Sequence, residues 1–307
     1  MAFLNALPGA VAQGLIWGLM AIGVYISYKI LDIADLTVDG SICTGGCVCA
    51  VLIAMGCPVW LSVLAAFFAG ALTGVLTGVF HTALGIPSIL AGILTQLILY
   101  SVNLSTLGGK SLMAVDYRTN DLLLHMSDNI GAIIMLVLMV VAVIVGLWLF
   151  FYTEVGLTLK STGDNPDMSR AQGVNVKFNK VLGLAIANGI VALAGALLAQ
   201  YKGSANINDG RGAIVIALAA IYIGLSVSLK IKPNFVVSLI GVVCGGVVYY
   251  IIYNFVILLG LKTDYLKMLS AIIVVIFLAV PYLKEEYFQK KQVLPAQEPC
   301  AGGEPHA

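Results

Sequence analysis

The sequence predicts an all-α integral membrane protein, a polytopic bundle of about nine transmembrane helices, with eight to ten as the working range. Two observations carry this. Hydrophobic residues make up 60% of the chain, charged residues 10%, and mean hydropathy is +1.02, whereas a soluble domain carries about 25% charged residues. Apolar runs of about 20 residues, long enough to cross the hydrocarbon layer, also recur along the whole chain. The bilayer is then the main solvent, and the chain reads as one membrane domain over residues 1–283 with a cytoplasmic tail, 284–307, expected to be disordered.

Charge and Gly/Pro boundaries place helices at roughly 8–28, 37–55, 59–80, 87–105, 130–152, 181–200, 212–229, 235–258 and 266–282. The first span has no basic region before it and no small-residue cleavage site after it, so it reads as a retained helix and not a signal peptide. The second begins in a polar run, with Asp32, Asp35, Thr37, Asp39, Ser41 and Thr44 among Gly40, Gly45 and Gly46. That pattern predicts a broken or late-starting helix. Asp39 either caps a helix end at the membrane interface or, if deep, faces protein or a water-filled path, because a carboxylate at bilayer depth costs about 2.5–3.5 kcal/mol.

Around the junction of spans six and seven, Tyr201, Asn206, Asn208 and Asp209 with Gly203, Gly210 and Gly212 suit either a re-entrant turn beside a solute path or a plain external loop. Asn188 and Gln200 read as interhelical hydrogen-bonding groups. Two connections are longer than ordinary turns, roughly 106–129 and 153–180. In the second, a polar turn at Gly163 to Pro166 precedes a segment, Asp167 to Gln172, of about one and a half helical turns stopped by Gly173. A short capped helix lying on the membrane surface fits a groove in a partner protein.

With nine spans the termini lie on opposite sides. Placing the N-terminus outside leaves ten of the sixteen Lys and Arg residues in the cytoplasm, which favours N-out and C-in in a bacterial plasma membrane.

Other function classes find little support. The net charge of +1 gives no reason to propose nucleic acid as a partner. His81, His125 and His306 are far apart, so no His-based dyad or metal cluster is visible. Cys43, Cys47, Cys49, Cys57 and Cys244 sit in or beside apolar segments and read, with Cys300 in the tail, as unpaired small hydrophobes. No catalytic residue, metal or cofactor is expected, and any energy from ATP must come from another chain. The Gly109-Lys110-Ser111 tripeptide lacks the upstream glycine of a phosphate-binding loop, Leu104 standing there.

Three stretches resemble the permease subunits of bacterial ABC importers of the branched-chain amino acid and ribose type, nearest to the branch paired with tryptophan- or tyrosine-type binding lipoproteins. They are Asp35-Leu-Thr-Val-Asp-Gly-Ser41, Ser161 to Asn175, and Asn188 to Gln200 with its Gly-rich sequel to Ala220. Ala217 and Leu225 depart from the pattern, standing where Gly and an acidic residue are expected.

The resemblance implies a type II importer fold with a broken second helix. It makes Ser161, Thr162, Gly163, Asp164, Asn165, Asp167, Met168, Arg170, Ala171 and Gly173 a coupling helix seated in a cytosolic ATPase. It further implies a second permease copy, an extracytoplasmic substrate-binding lipoprotein, and alternating access at the interface between two copies. Thr37, Asp39, Ser41, Thr44 and Asn206 are the candidates for the substrate path, with membrane lipid as the surrounding partner. The cargo expected is an aromatic or branched amino acid. A sugar or nucleoside importer, and an ion-coupled transporter built on Asp39, remain the alternatives.

Overall fold

A computed structural model describes residues 2–115, 122–124, 129–228 and 234–258, with isolated helical positions at 268, 271, 272, 275 and 279. Within them lie α1 (Ala2–Tyr25), α2 (Val38–Ala54), α3 (Val59–Thr82), α4 (Ser88–Thr106), α5 (Asn129–Phe151), α6 (Glu154–Asp164), α7 (Pro166–Ala171), α8 (Val176–Lys202), α9 (Ala213–Ser228) and α10 (Phe235–Leu258). Six of these, α1, α3, α4, α5, α8 and α10, are long and apolar enough to cross a membrane, while α2 and α9 are shorter apolar helices. The ninth expected span, 266–282, and the tail from 284 fall almost wholly outside the described residues.

Helices α1 and α8 form the interior, and α3, α4 and α5 the periphery. On α5, Ile130, Ile134, Leu138, Val141, Val145 and Leu149 are exposed at spacings of three and four residues, so one apolar stripe faces outward along its length. Only lipid or another apolar surface tolerates such a stripe. Packing inside relies on small residues, because apolar side chains gain no burial advantage over lipid tails and contact must come from close approach. Gly70, Gly74 and Gly78 repeat every four residues on α3, and a Cβ on any of them would collide with α8, at Ala192, Leu184 and Val181 respectively.

Helix α2 is short for a structural reason. Helix α1 ends in a π-helical turn, Ile26–Ile30, and the chain reverses at Asp32, whose φ of +53° a carboxylate side chain tolerates better than most. Residues 31–37 then return toward the middle of the bundle before α2 starts. Its fourth residue, Ser41, bonds to Asn188, the midpoint of the 27-residue α8. At 1.5 Å per residue that point is about 20 Å from either end of α8. Helix α2 is therefore late-starting and unbroken from Val38 to Ala54.

The segment after α8 mirrors this return. Strand β2 (Ser204–Asn206) pairs antiparallel with β1 (Leu112–Ala114), tying the α4–α5 connection to the α8–α9 connection. The chain then descends until Gly210 lies against the backbone of Asp39. The sequence reading leaves Asp39 either at an interface or deep against protein, and the structure packs it against the 200–211 segment. An extended chain advances about 3.3 Å per residue, so a few non-helical residues reach the bilayer centre without leaving an apolar run to betray it.

The 153–180 connection is mostly helical. Gly163 is inside α6 and not in a turn, and the break comes at Asn165 (φ −155°, ψ 99°). Gly163 has no Cβ to keep α6 from the Ile30 carbonyl, which explains a glycine in that helix.

Candidate functional site

The returning 31–37 segment is held by a buried polar cluster. The Asp35 carboxylate is 3% exposed and accepts from the Thr37 N–H at 2.9 Å and the Asn188 amide at 2.6 Å. Asn188 in turn accepts from the Ser41 hydroxyl at 2.6 Å, and Ser41 lies 2.7 Å from the Thr73 hydroxyl. A second row runs sideways, Thr37 to Thr77 at 2.7 Å and Thr77 to Thr95 at 3.0 Å. Together the rows tie α2 to α3, α4 and α8. Deep in a bilayer these groups have no water to replace a lost partner, so each hydrogen bond also fixes position.

Asp39 does something else. Its two carboxylate oxygens accept from the backbone N–H groups of Gly212, at 2.9 Å, and Ile214, at 3.0 Å. It caps α9 across space and leaves its own helix uncapped by side chains. A negative charge at a helix N-terminus is favourable because free N–H groups and the helix dipole meet there.

Beside Asp39 a cavity of about 330 Å³ opens between α2, α4 and the segment between β2 and α9. Its polar lining is Asp39, Gln96, Tyr100, Asn103 and Arg211, with Ile93 and Leu97 among its apolar walls. No carboxylate among the described residues pairs with Arg211, whereas Lys202 and Asp209 nearby form an ion pair at 3.0 Å.

Of the five path candidates from sequence, Asp39 lines this cavity. Thr37 and Ser41 are buried behind it in the hydroxyl cluster. The Thr44 hydroxyl donates to the Gly40 carbonyl one turn earlier. Asn206 belongs to β2, where its side chain accepts from the Asn208 N–H. Gln96, Tyr100, Asn103 and Arg211 were not singled out from the sequence. The first three follow the i, i+4, i+7 pattern of one helix face, a signal that was available in the fourth span. Asp35 sits in a connecting segment, where the sequence carries no sign of its depth.

At the far end of α8 lies the second candidate region. The Asn165 side chain accepts from the N–H groups of Asp167, at 3.1 Å, and Met168, at 3.0 Å, capping α7 with Pro166 in its first turn. Gly173, at φ +83°, turns the chain after the helix. Ser169 donates to Ser161 at 3.2 Å, and Asn179 on α8 donates to Thr162 at 3.0 Å. Helix α7 is thus fastened to α6 and, through Thr162, to α8. Met168 is 60% exposed, and Asp167 and Arg170 form an exposed i, i+3 pair, so the outer face of α7 carries an apolar centre flanked by opposite charges. Asp164 lines a neighbouring cavity, and Ala171 is the last residue of α7.

Residues 7–278 match the branched-chain amino acid transport system, permease component family. The chain belongs to this family. It is a permease of the ABC-importer type and a multi-pass inner-membrane protein. This permease is 34% identical over 277 residues to a tyrosine transport system permease protein of Clostridioides difficile, covering 90% of this chain and 91% of the relative. It is 32% identical over 285 residues to an uncharacterized protein of Rickettsia prowazekii, covering 92% and 99%. A ribose import permease of Escherichia coli K12 is 23% identical over 284 residues, covering 92% and 87%. No solved structure matches the permease.

Proposed function

We propose that this permease moves an aromatic or branched amino acid through a path formed where two copies meet, and that the Asp39–Arg211 cavity is one copy's share of it. The observation that carries the proposal is the placement of Gln96, Tyr100 and Asn103 on one face of α4, opposite Asp39. Polar groups are expensive against lipid, so a peripheral helix bearing them calls for a protein or water-filled neighbour on that side. The same helix exposes Leu90, Leu94, Leu97 and Ile98, which supply an apolar surface for a second copy.

The cavity suits a zwitterion. Arg211 takes the carboxylate in a bidentate pair, Asp39 and Asn103 meet the ammonium, and Tyr100 with Ile93 and Leu97 receives the side chain. A sugar would use Asn103 and Gln96 but has no group to pair with Arg211. The relative named for tyrosine transport supports the amino-acid reading.

Energy enters at α6 and α7. An ATPase subunit seats the Met168 face of α7 in a groove, and its closure on ATP moves α7 with α6, to which it is hydrogen-bonded, and through Thr162 the base of α8. Asn188, halfway up α8, carries the movement to the Ser41 end of α2 beside the cavity. This assigns α6 and α7 to the cytoplasm, the C-terminus to the same side and the N-terminus to the outside. The β1–β2 ribbon then faces a substrate-binding lipoprotein.

The test is uptake of radiolabelled tyrosine by cells whose chromosomal copy is replaced by variants. Arg211→Gln is expected to lower uptake more than tenfold and Arg211→Lys less, because only a guanidinium offers the bidentate pair. Normal uptake by Arg211→Gln at normal membrane abundance would overturn the site.

A further inference from the structure

A second cavity, of about 550 Å³, lies at the α6 end of the bundle, between the π turn after α1, the end of α5, α6 and the start of α10. The transport path does not use it. Its volume falls in the range of about 300–1,000 Å³ typical of small-molecule sites. Two cations, Lys29 and Lys160, line it together with a single acid, Asp164. None of the three forms an ion pair among the described residues. The walls are otherwise largely aromatic and aliphatic, and the Phe151 and Phe235 rings, 4.8 Å apart, close one side.

The location narrows the occupant. The exposed apolar stripe of α5 runs down to this cavity and ends at Trp148 and Tyr152, whose rings lie 5.0 Å apart. Tyr152 is 73% exposed and also lines the cavity. Paired Trp and Tyr rings at the end of a lipid-facing stripe mark the headgroup level of the bilayer. The cavity therefore opens where acyl chains lying along α5 give way to phosphates. Cations beside an apolar wall at that depth complement a ligand with an anionic head and an apolar tail.

We propose that this cavity holds the headgroup of an anionic phospholipid from the leaflet on the α6 side, its phosphate between Lys29 and Lys160 and its chains along α5. A soluble anion would meet the same lysines and gain nothing from the α5 stripe. The bound lipid touches α1, α6 and α10 at once, and so braces α6, the helix to which α7 is fastened.

The experiment is native mass spectrometry of the full chain released from nanodiscs of nine parts phosphatidylcholine to one part phosphatidylglycerol. Wild type is expected to retain one phosphatidylglycerol in excess of its share, and Lys29→Gln/Lys160→Gln to lose roughly fivefold or more of that preference. Lys29→Arg/Lys160→Arg keeps the charge and should keep the preference, which separates a lost site from a misfolded protein. The proposal is overturned if wild type retains both lipids in proportion to supply, or if the glutamine variant keeps its preference. Displacement of the retained lipid by millimolar glycerol phosphate would also overturn it, by showing a soluble-anion site.

Discussion

Replacing Asn188 by Ala tests the centre of the bundle. Asn188 is fully buried, its amide donates to Asp35 and to the Leu184 carbonyl, and its side-chain oxygen accepts from Ser41. Truncation leaves the Asp35 carboxylate with the Thr37 N–H and strips Ser41 of its acceptor on α8. Hydrogen bonds between membrane helices average about 0.6 kcal/mol and reach about 1.7 kcal/mol. A stranded buried partner costs about 1–3 kcal/mol. Ser41 keeps the Thr37 carbonyl and the Thr73 hydroxyl, so the stranded carboxylate oxygen of Asp35 carries most of the cost and places the total near about 3 kcal/mol. For a chain of this length about 1 kcal/mol corresponds to about 2–4 °C, so the melting temperature in detergent should fall by roughly 6–12 °C. Asp35→Asn, which keeps the shape and lets the Asn188 amide reorient, should lose less than half as much. Thermal unfolding followed by reaction of the buried thiols Cys43, Cys47 and Cys49 with a maleimide reads this directly. An Asn188→Ala protein melting within 2 °C of wild type would refute the claim that this cluster fixes α2 against α8.

Gly45→Val should not yield a monodisperse protein on size-exclusion chromatography, because a Cβ there overlaps the Ala192 carbonyl. Gly146→Ala is its control. It meets nothing within 4 Å on the outer face of α5 and should be neutral or gain about 0.5–1 kcal/mol in thermal unfolding. Asn165→Ala removes the α7 cap, at a cost of about 1 kcal/mol to that helix, and should reduce ATPase stimulation severalfold while tyrosine binding in detergent stays unchanged. Loss of binding with intact stimulation would place Asn165 outside the coupling step.

The contrast between what the sequence shows and what it hides follows from what generates a pattern. Spans such as α5 and α10 are apolar throughout and announce themselves by hydropathy. The α7 segment is equally legible, since an Asn cap, a Pro in the first turn and a Gly after the last turn are local signals. The turn expected at Gly163 was misplaced because glycine reads as a breaker, whereas here it serves close approach to Ile30. The deep start of α2 was visible in the density of polar residues, yet the partner that explains Asp39, the N-terminus of α9, is more than 170 residues away. No local pattern encodes that meeting. Thr37 and Ser41 stand out in the sequence as polar, but which polar residues face a cavity and which bond to one another is decided by the packing of α3 and α8. Gln96, Tyr100 and Asn103 form one face of α4 at i, i+4, i+7 spacing, and the run of Leu and Ile around them masks that pattern in the sequence.

The most direct test of the central claim is uptake of labelled tyrosine into proteoliposomes containing this permease with its copurified ATPase and binding protein. The account predicts uptake that requires ATP on the α6 side, persists when ionophores collapse proton and sodium gradients, and fails in the Arg211→Gln protein. Uptake driven by an ion gradient without the ATPase would contradict it.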